Sequence, residues 1–405
     1  MISYEEAQAC IHRNLPSTRV IQRRVAEAAG FALARDVEAQ DALPLFASSA
    51  MDGYALRSRD VRRANETRPV VLPVSGVAQP GDTALRLSPR SAVRILTGAM
   101  LPTGADAVIM QEHVQCNGAT LQCAGPVAAG ENVRARGEEY REGDRVFARG
   151  TLITPAVAGM LATLGYSRVH VRARPRVALV VTGNELRMPE DRLRPGQIRD
   201  ANSVSLQSAL RCMGIEPTML RAQDDAEEVY ALLRTALRRH DCVITSGGIS
   251  VGDHDYVRGA FARLRVQEHF WRVAIKPGKP VYFGTRGQRM VFGLPGNPVS
   301  ALLALYLFVR PALARCAGVP VPPSWLQSAR LEGDIRKRAG REEFLRVRLE
   351  SDAGELPRVH PMRGQGSHML GGLATADALL QLPAGSEGMA HGSIVEVERM
   401  QWSLL

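Results

Sequence analysis

The sequence predicts a multidomain α/β plus β protein. A central, doubly wound parallel α/β domain is joined to an N-terminal helical and β region, a small β domain inserted into that region, and a small β domain at the C-terminus. Three observations carry this reading. The chain has 405 residues, more than one hydrophobic core usually serves. Between Arg174 and Leu313, short β-branched runs alternate with segments of helical periodicity, the pattern of a sheet whose crossovers are helices. On either side, alternating runs are broken by Gly, Pro and Asp turns.

Taken in order, Ser3 is a natural N-cap for a helix over Tyr4 to Asn14, and a second amphipathic run over Val20 to Ala34 also reads as helical. Pro44-Leu45-Phe46 ends this region. The runs Val70 to Val77, Ala92 to Leu96 and Ala107 to Met110 read as strands of a small β domain. Helical periodicity returns at Pro155 to Leu164, so the segment before Arg174 is expected to pack with the N-terminal helices and make the β domain an insertion. Beyond Arg174-Pro175-Arg176 come strand Val177 to Val181, helix Ser203 to Met213, strand Met219 to Arg221, helix Ala226 to His240 and strand Cys242 to Thr245. Strand Met290 to Leu294 and helix Pro298 to Leu313 follow. A Pro-rich linker, Val319 to Pro323, leads to a region with alternation in Phe344 to Leu349 and Ile394 to Val397. The expected domains are therefore 1–47 with 142–172, 48–141, 173–321 and 322–405.

Composition narrows the function. Hydrophobic residues make up 45% and charged residues 23%, which excludes a disordered or fibrous chain. The apolar runs Val177 to Val181 and Val299 to Val309 are shorter than the ~18–20 residues of a membrane span, and the start, Tyr4-Glu5-Glu6, is no basic-then-apolar leader. The six cysteines form no C-x-x-C pair and read as reduced, mostly buried thiols, so a cytoplasmic location and no membrane partner are expected. The net charge of +10 comes without a basic run interleaved with aromatics, which argues for small anionic substrates and no nucleic acid. Only three of the 51 basic residues are lysines, yet Lys276 and Lys279 stand within one four-residue segment, which marks a place where a compact ammonium is required.

Three strand ends in the α/β region run into unusual loops: Thr182-Gly183-Asn184-Glu185, Thr245 to Asp253, and Leu294-Pro295-Gly296-Asn297-Pro298. Ligands of open α/β sheets bind at the carboxyl ends of strands. In the second loop, Gly247, Gly248 and Gly252 let backbone N–H groups approach an anion while Ser246 and Ser250 offer hydroxyls, a phosphate cradle. In the third, Asn297 reads as N-cap and Pro298 as the first helical residue, so that unpaired N–H groups face the same crevice. Glu185, Asp224, Asp225, Asp253 and Asp255 lie on this rim, and hard Mg²⁺ beside a phosphate needs only one or two such carboxylates. No histidine pair has the spacing of a transition-metal cage. Trp271 to Pro280 places both lysines in a Pro- and Gly-braced loop, an oxyanion clamp.

These residues resemble the molybdopterin molybdotransferases of the MoeA type, also found as the gephyrin E domain. The resemblance is carried by Ser49-Ala50-Met51-Asp52-Gly53-Tyr54-Ala55, Ile95-Leu96-Thr97-Gly98-Ala99, Thr182 to Leu186, Ser246 to Gly252, Ala274 to Pro280 and Gly293 to Ser300, and it spans nearly the full length. It implies an α/β domain of molybdopterin-binding type, an elongated homodimer, and Mg²⁺-assisted insertion of molybdate into adenylylated molybdopterin with release of AMP. It also implies catalytic roles for Asp52, Thr97, Glu185, Asp224, Asp255 and Lys276, with Glu185, Asp224 and Asp255 at the metal. Thr182, Ser246, Gly247, Gly248, Ser250, Gly252, Pro295, Gly296, Asn297 and Pro298 would bind pterin and phosphate, and Lys276, Lys279, Ser300, Arg346 and Ser367 molybdate. Partners in the same pathway would be the adenylyltransferase that supplies the substrate and the chaperones that receive the product. A twofold axis would bring Asp52 and Thr97 of one subunit to the crevice of the other. The chain departs from the family pattern at Glu139, where the family carries Asp, and at Arg272, where bacterial relatives can carry Lys. Two rival readings are a non-catalytic scaffold of the gephyrin E type and a molybdopterin adenylyltransferase, whose single α/β domain lacks counterparts of residues 1–172 and 324–405.

Overall fold

A computed structural model describes residues 1–249, 256–320, 326–351 and 355–403. The chain forms two compact units. One comprises Met1–Ala34, Gly150–Pro155 and Arg168–Leu405, the other Arg35–Arg149 and Ala156–Ser167.

The second unit is built on a six-stranded sheet in the order Ala107–Met110, Gly53–Leu56, Ala92–Ile95, Val70–Ala78, Thr120–Cys123, Val114–Cys116. The three strands expected here are present, and Leu56, Leu72, Ile95 and Leu121 are fully buried in its core. Gly53 is required by packing, because a Cβ there would lie 2.1 Å from the Ile109 carbonyl oxygen. Most of the expected helix, Pro155–Thr163, belongs to this unit.

In the first unit the N-terminal helix is Tyr4–Arg13. Ser3 Oγ accepts from Glu6 N at 3.0 Å and Glu6 Oε2 accepts from Ser3 N at 2.7 Å, a complete capping box. The second helix expected over Val20 to Ala34 is not there. Val20–Arg24 is a strand paired antiparallel with Arg168–Arg172, followed by a single 3₁₀ turn at Val25–Glu27. β-branched Val20 and Ile21 suit a strand, and the partner that decides the matter is remote in sequence.

The α/β sheet runs Thr218–Ala222, Val177–Thr182, Cys242–Ser246, Arg289–Leu294, Tyr282–Arg286, Gln267–Trp271. The first four strands are parallel. The last two, not foreseen in the sequence, add an antiparallel edge, with Gly287 at φ +57° in the turn before Arg289. Every residue of Val177–Thr182 is buried. Val177, Leu179 and Val181 pack with Leu206 and Leu210 of helix Ala201–Cys212, whereas Ala178 and Val180 pack with Val229 and Leu233 of helix Ala226–Arg239. Helices therefore cover both faces.

Residues 298–316 are helical throughout, with a wide π turn at Leu305–Val309 just before Pro311, whose missing N–H breaks the ordinary ladder. Among the described residues this is the one helix long and apolar enough to cross a bilayer, and it is buried in the core of this unit. The cysteines are all unbridged, as expected, but Cys116 and Cys212 are exposed rather than buried.

In the C-terminal region, strands Glu342–Glu350, Arg358–Pro361, Leu326–Leu331, Ile394–Arg399 and Ala378–Leu382 pair in that order. The last pairs back onto the first, closing a five-stranded barrel. Ile275–Lys276, from the lysine loop, adds outside the ring as a parallel partner of Glu342 and Glu343. Lys337, the third lysine, donates to the carbonyls of Pro383, Ala384 and Ser386 at 2.9, 3.2 and 2.8 Å. Lys337→Met removes all three bonds and should lower the barrel's opening free energy by about 2 kcal/mol. Hydrogen exchange of the Ala378–Leu382 amides measures this, and unchanged exchange would show that water substitutes for the ammonium.

Candidate active site

The carboxyl ends of the parallel strands open into a cavity of about 680 Å³. Thr182, Glu185, Asp224, Ser246, Gly247, Gly248, Pro295, Gly296, Asn297 and Pro298 all line it, so the three loops singled out in the sequence converge. Ser250, Gly252, Asp253 and Asp255 lie outside the described residues.

Glycine is needed in the cradle for space as well as conformation. Gly248 has φ +66°, and a Cβ on it would fall 2.6 Å from Val257 Cγ2. Gly247, at φ +90°, comes so close to the first loop that a Cβ would be 3.1 Å from the Thr182 carbonyl. The loop is pinned from behind by Trp271, whose indole N–H donates to Ile249 O at 2.9 Å. Arg258 and Arg272 stack on that indole, 3.9 and 4.0 Å from its centroid, which is where the charge of the divergent Arg272 goes. At Glu139, the other departure, the backbone N–H donates to Leu43 O at 3.0 Å.

Several polar groups serve the loops themselves. The Ser246 hydroxyl donates to Pro295 O at 3.5 Å and accepts from Asn202 Nδ2 at 2.8 Å, and the same Asn202 amide donates to Gly296 O at 2.7 Å. Asn202 therefore ties the second loop to the third. Sequence reasoning misses it because it expects the helix to start at Ser203, two residues after its first residue, Ala201. The signal was Asp200, a buried N-cap that accepts from Ser203 N at 2.9 Å and Ser203 Oγ at 2.5 Å and pairs with Arg221.

The acids divide by role. Asp225 caps helix Ala226–Arg239, accepting from the N–H groups of Glu227 and Glu228. Asp224 instead faces the cavity, and its Oδ2 accepts from Asn184 N at 3.0 Å while Asn184 Oδ1 accepts from Asp224 N at 3.1 Å. This reciprocal pair joins the ends of two adjacent strands. Glu185 lines the same cavity. Among the described residues no three His, Cys, Asp or Glu side chains cluster closely enough to form an all-protein metal cage.

None of the five oxyanion candidates lines this cavity, but Ser367 bonds to Asn297, which does, and Lys276 bonds to Glu343 of the barrel. Asn297 Nδ2 donates to Ser367 Oγ at 2.9 Å, and Val299 N donates to Ser367 O at 3.1 Å. The helix start is thus less open than expected: Pro298 has no N–H, and that of Val299 is taken. Ser300 is buried in the first turn, and its carbonyl would lie 3.7 Å from a Cβ on Gly278, inside the lysine loop. Lys276 Nζ donates to both oxygens of Glu343, at 3.2 and 3.1 Å, and Lys279 has no carboxylate partner among the described residues.

Arg346 is the largest fully buried side chain, 1% exposed. Its guanidinium donates to Gln365 Oε1, Gly366 O and Gly364 O at 3.2, 3.3 and 2.9 Å, and among the described residues it meets no carboxylate. Burial pulls its pKa below the ordinary value. A buried cation held only by neutral acceptors is a site that gains from an anion.

Asp52 and Thr97 lie in the other compact unit and bond to each other. Thr97 N and Oγ1 both donate to Asp52 Oδ1 at 2.7 Å, which holds the carboxyl below the usual carboxylate range. Ser49 N donates to Ala99 O and Gly98 N to Ser49 O, so the two motifs that carry these residues are one local structure.

Comparison with known proteins accounts for every domain. The MoeA N-terminal region (domain I and II) matches residues 2–165, a probable molybdopterin binding domain matches 178–315, and the MoeA C-terminal region (domain IV) matches 328–400. The chain is 36% identical over 404 residues to molybdopterin molybdenumtransferase 2 of Mycobacterium tuberculosis, covering 98% of this chain and 99% of that protein. It is 32% identical over 398 residues to the molybdopterin molybdenumtransferase of Staphylococcus epidermidis, covering 98% and 95%. A crystal structure of the molybdopterin biosynthesis moeA protein from Pyrococcus horikoshii aligns with a TM-score of 0.83 at 31% identity, covering 99% of this chain and 100% of that one. Matched domain by domain and alike over its whole length, the chain belongs to the molybdopterin molybdenumtransferase family.

Proposed function

We propose that this cleft inserts molybdate into adenylylated molybdopterin and releases AMP. The chain is a transferase of molybdenum cofactor biosynthesis, as its relatives' names state of them. The observation that carries the substrate reading is Arg346: a buried guanidinium that meets no carboxylate among the described residues, bonded to the Gly364 to Gly366 segment that leads to the cavity-lining His368, supports an oxyanion next to a nucleotide. The cradle of Gly247 and Gly248 holds the phosphates by close backbone approach. Lys276, Lys279, Ser300, Arg346 and Ser367 receive molybdate. Catalysis then rests on positioning and charge neutralisation rather than on a protein nucleophile.

Glu185 and Asp224 fit Mg²⁺, a hard ion that needs one or two carboxylates and completes its shell with water and substrate oxygens. Asp255 would join them. The ion would neutralise phosphoanhydride charge, while Asn184 holds the Asp224 carboxylate in orientation. The working form is a homodimer in the cytoplasm, without nucleic acid or membrane, supplied by the adenylyltransferase and emptied by molybdoenzyme chaperones. Sedimentation equilibrium tests the dimer.

Lys279→Ala should lower kcat/KM for molybdate by about 2 kcal/mol with an unchanged melting temperature. Lys276→Ala would strand the buried Glu343, so Lys276→Gln, which keeps a donor, is the matching variant and should show a loss of similar size. Wild-type kinetics in both would remove the lysine loop from the oxyanion site. Asp224→Asn keeps the acceptor for Asn184 N and removes the charge, so half-maximal turnover should need about tenfold more Mg²⁺ or higher. An unchanged Mg²⁺ titration would make Asp224 purely structural. Asp52, depressed by Thr97, contributes stability above its unfolded pKa, and that contribution is lost as pH falls through the folded value. Thr97→Val should raise the Asp52 pKa toward the ordinary carboxylate value, as read by carboxyl ¹³C NMR titration.

A further inference from the structure

The two lysines of the loop are not equivalent. Glu343 is 8% exposed, and both its oxygens accept from Lys276 Nζ, at 3.2 and 3.1 Å. The Lys276 side chain is nevertheless 48% exposed, so the pair has one deep partner and one that reaches the surface of the site. Backbone fixes both ends: Lys276 pairs with Glu343 across the parallel ladder, and Glu342 N donates to Ala274 O at 2.8 Å. An ammonium has three N–H donors. Both Glu343 oxygens lie on one side of the ammonium, which leaves at least one N–H for a ligand.

We propose that Glu343 is a positioning residue for oxyanion capture. It holds the Lys276 ammonium from one side, so that a remaining N–H meets the anion at a set place. Its charge offsets that of the lysine, which weakens the net hold on a dianion. Arg346, which has no such counter-charge among the described residues, keeps the stronger pull. This inference rests on the proposed role of the lysine loop in receiving molybdate.

Steady-state turnover of the full-length enzyme with varied molybdate tests it. Glu343→Gln keeps the side chain's size, removes the charge and turns one acceptor into a donor. KM for molybdate should fall about threefold or more as the ammonium loses its counter-charge, and kcat should fall by a similar factor as the ammonium loses its fixed direction. A lower kcat at unchanged or raised KM is what a merely structural role would produce, and it overturns the proposal. In a Lys276→Gln background, adding Glu343→Gln should leave KM within about twofold. A continued fall there would show Glu343 acting on the anion directly and would overturn its role through Lys276. Wild-type KM and kcat in Lys276→Gln alone would overturn the underlying reading of the loop instead. If thermal melting shows Glu343→Gln to be unfolded at the assay temperature, Glu343→Asp takes its place. Its retracted carboxylate should lower KM by about twofold, and unchanged KM overturns the proposal.

Discussion

The burial of Val177–Thr182 on both faces is the constraint from which the rest of the site follows. With helices packed above and below, the sheet cannot present a face to a ligand, and only the carboxyl ends of its parallel strands stay open. Three loops must turn in that confined space, and the turns admit little but glycine. At Gly248 the neighbour is Val257 of helix Tyr256–Arg263, and at Gly247 it is the backbone of the first loop. The same packing that makes the core therefore makes the cradle.

A second constraint is charge. The chain uses arginine almost everywhere, and around the site several arginines place their planar heads on a ring or on carbonyls: Arg258 and Arg272 on Trp271, Arg346 on the Gly364 to Gly366 backbone. Two of its three lysines use the ammonium as a compact point charge among oxygens. Lys337 caps three carbonyls and Lys276 grips both oxygens of one carboxylate. The rarity of lysine marks the pair in the loop, and Lys337, alone in the barrel, is a structural ammonium.

Reading by pattern succeeded where the deciding interactions are local. The capping box at Ser3 and Glu6 lies within four residues, and helices Ala226–Arg239 and Pro298–Ala304 begin at the residues expected, the first capped by Asp225 and the second set by Pro298, since the Asn297 side chain bonds to Ser367 instead. It failed at Val20–Arg24, where a five-residue amphipathic stretch fits either period and a strand at Arg168–Arg172 chose between them. It also passed over the antiparallel edge strands Tyr282–Arg286 and Gln267–Trp271, which complete a sheet already predicted from its centre.

By itself the sequence determined the fold class, the three glycine-bearing loops at strand ends, and the resemblance that names the family, because these reside in residue type and short spacing. Tertiary structure decided which polar groups are available for chemistry. Asp224 and Asp225 are neighbours of the same type, yet one caps a helix and the other faces the cavity. Ser246 looked like a phosphate donor and is bonded to Asn202 and Pro295. Lys276 and Lys279 share one motif, yet among the described residues only Lys276 is joined to a buried carboxylate, drawn from a strand 67 residues away. A side chain's free donors and net charge depend on the partners that packing brings to it, and those partners come from parts of the chain that no local pattern connects.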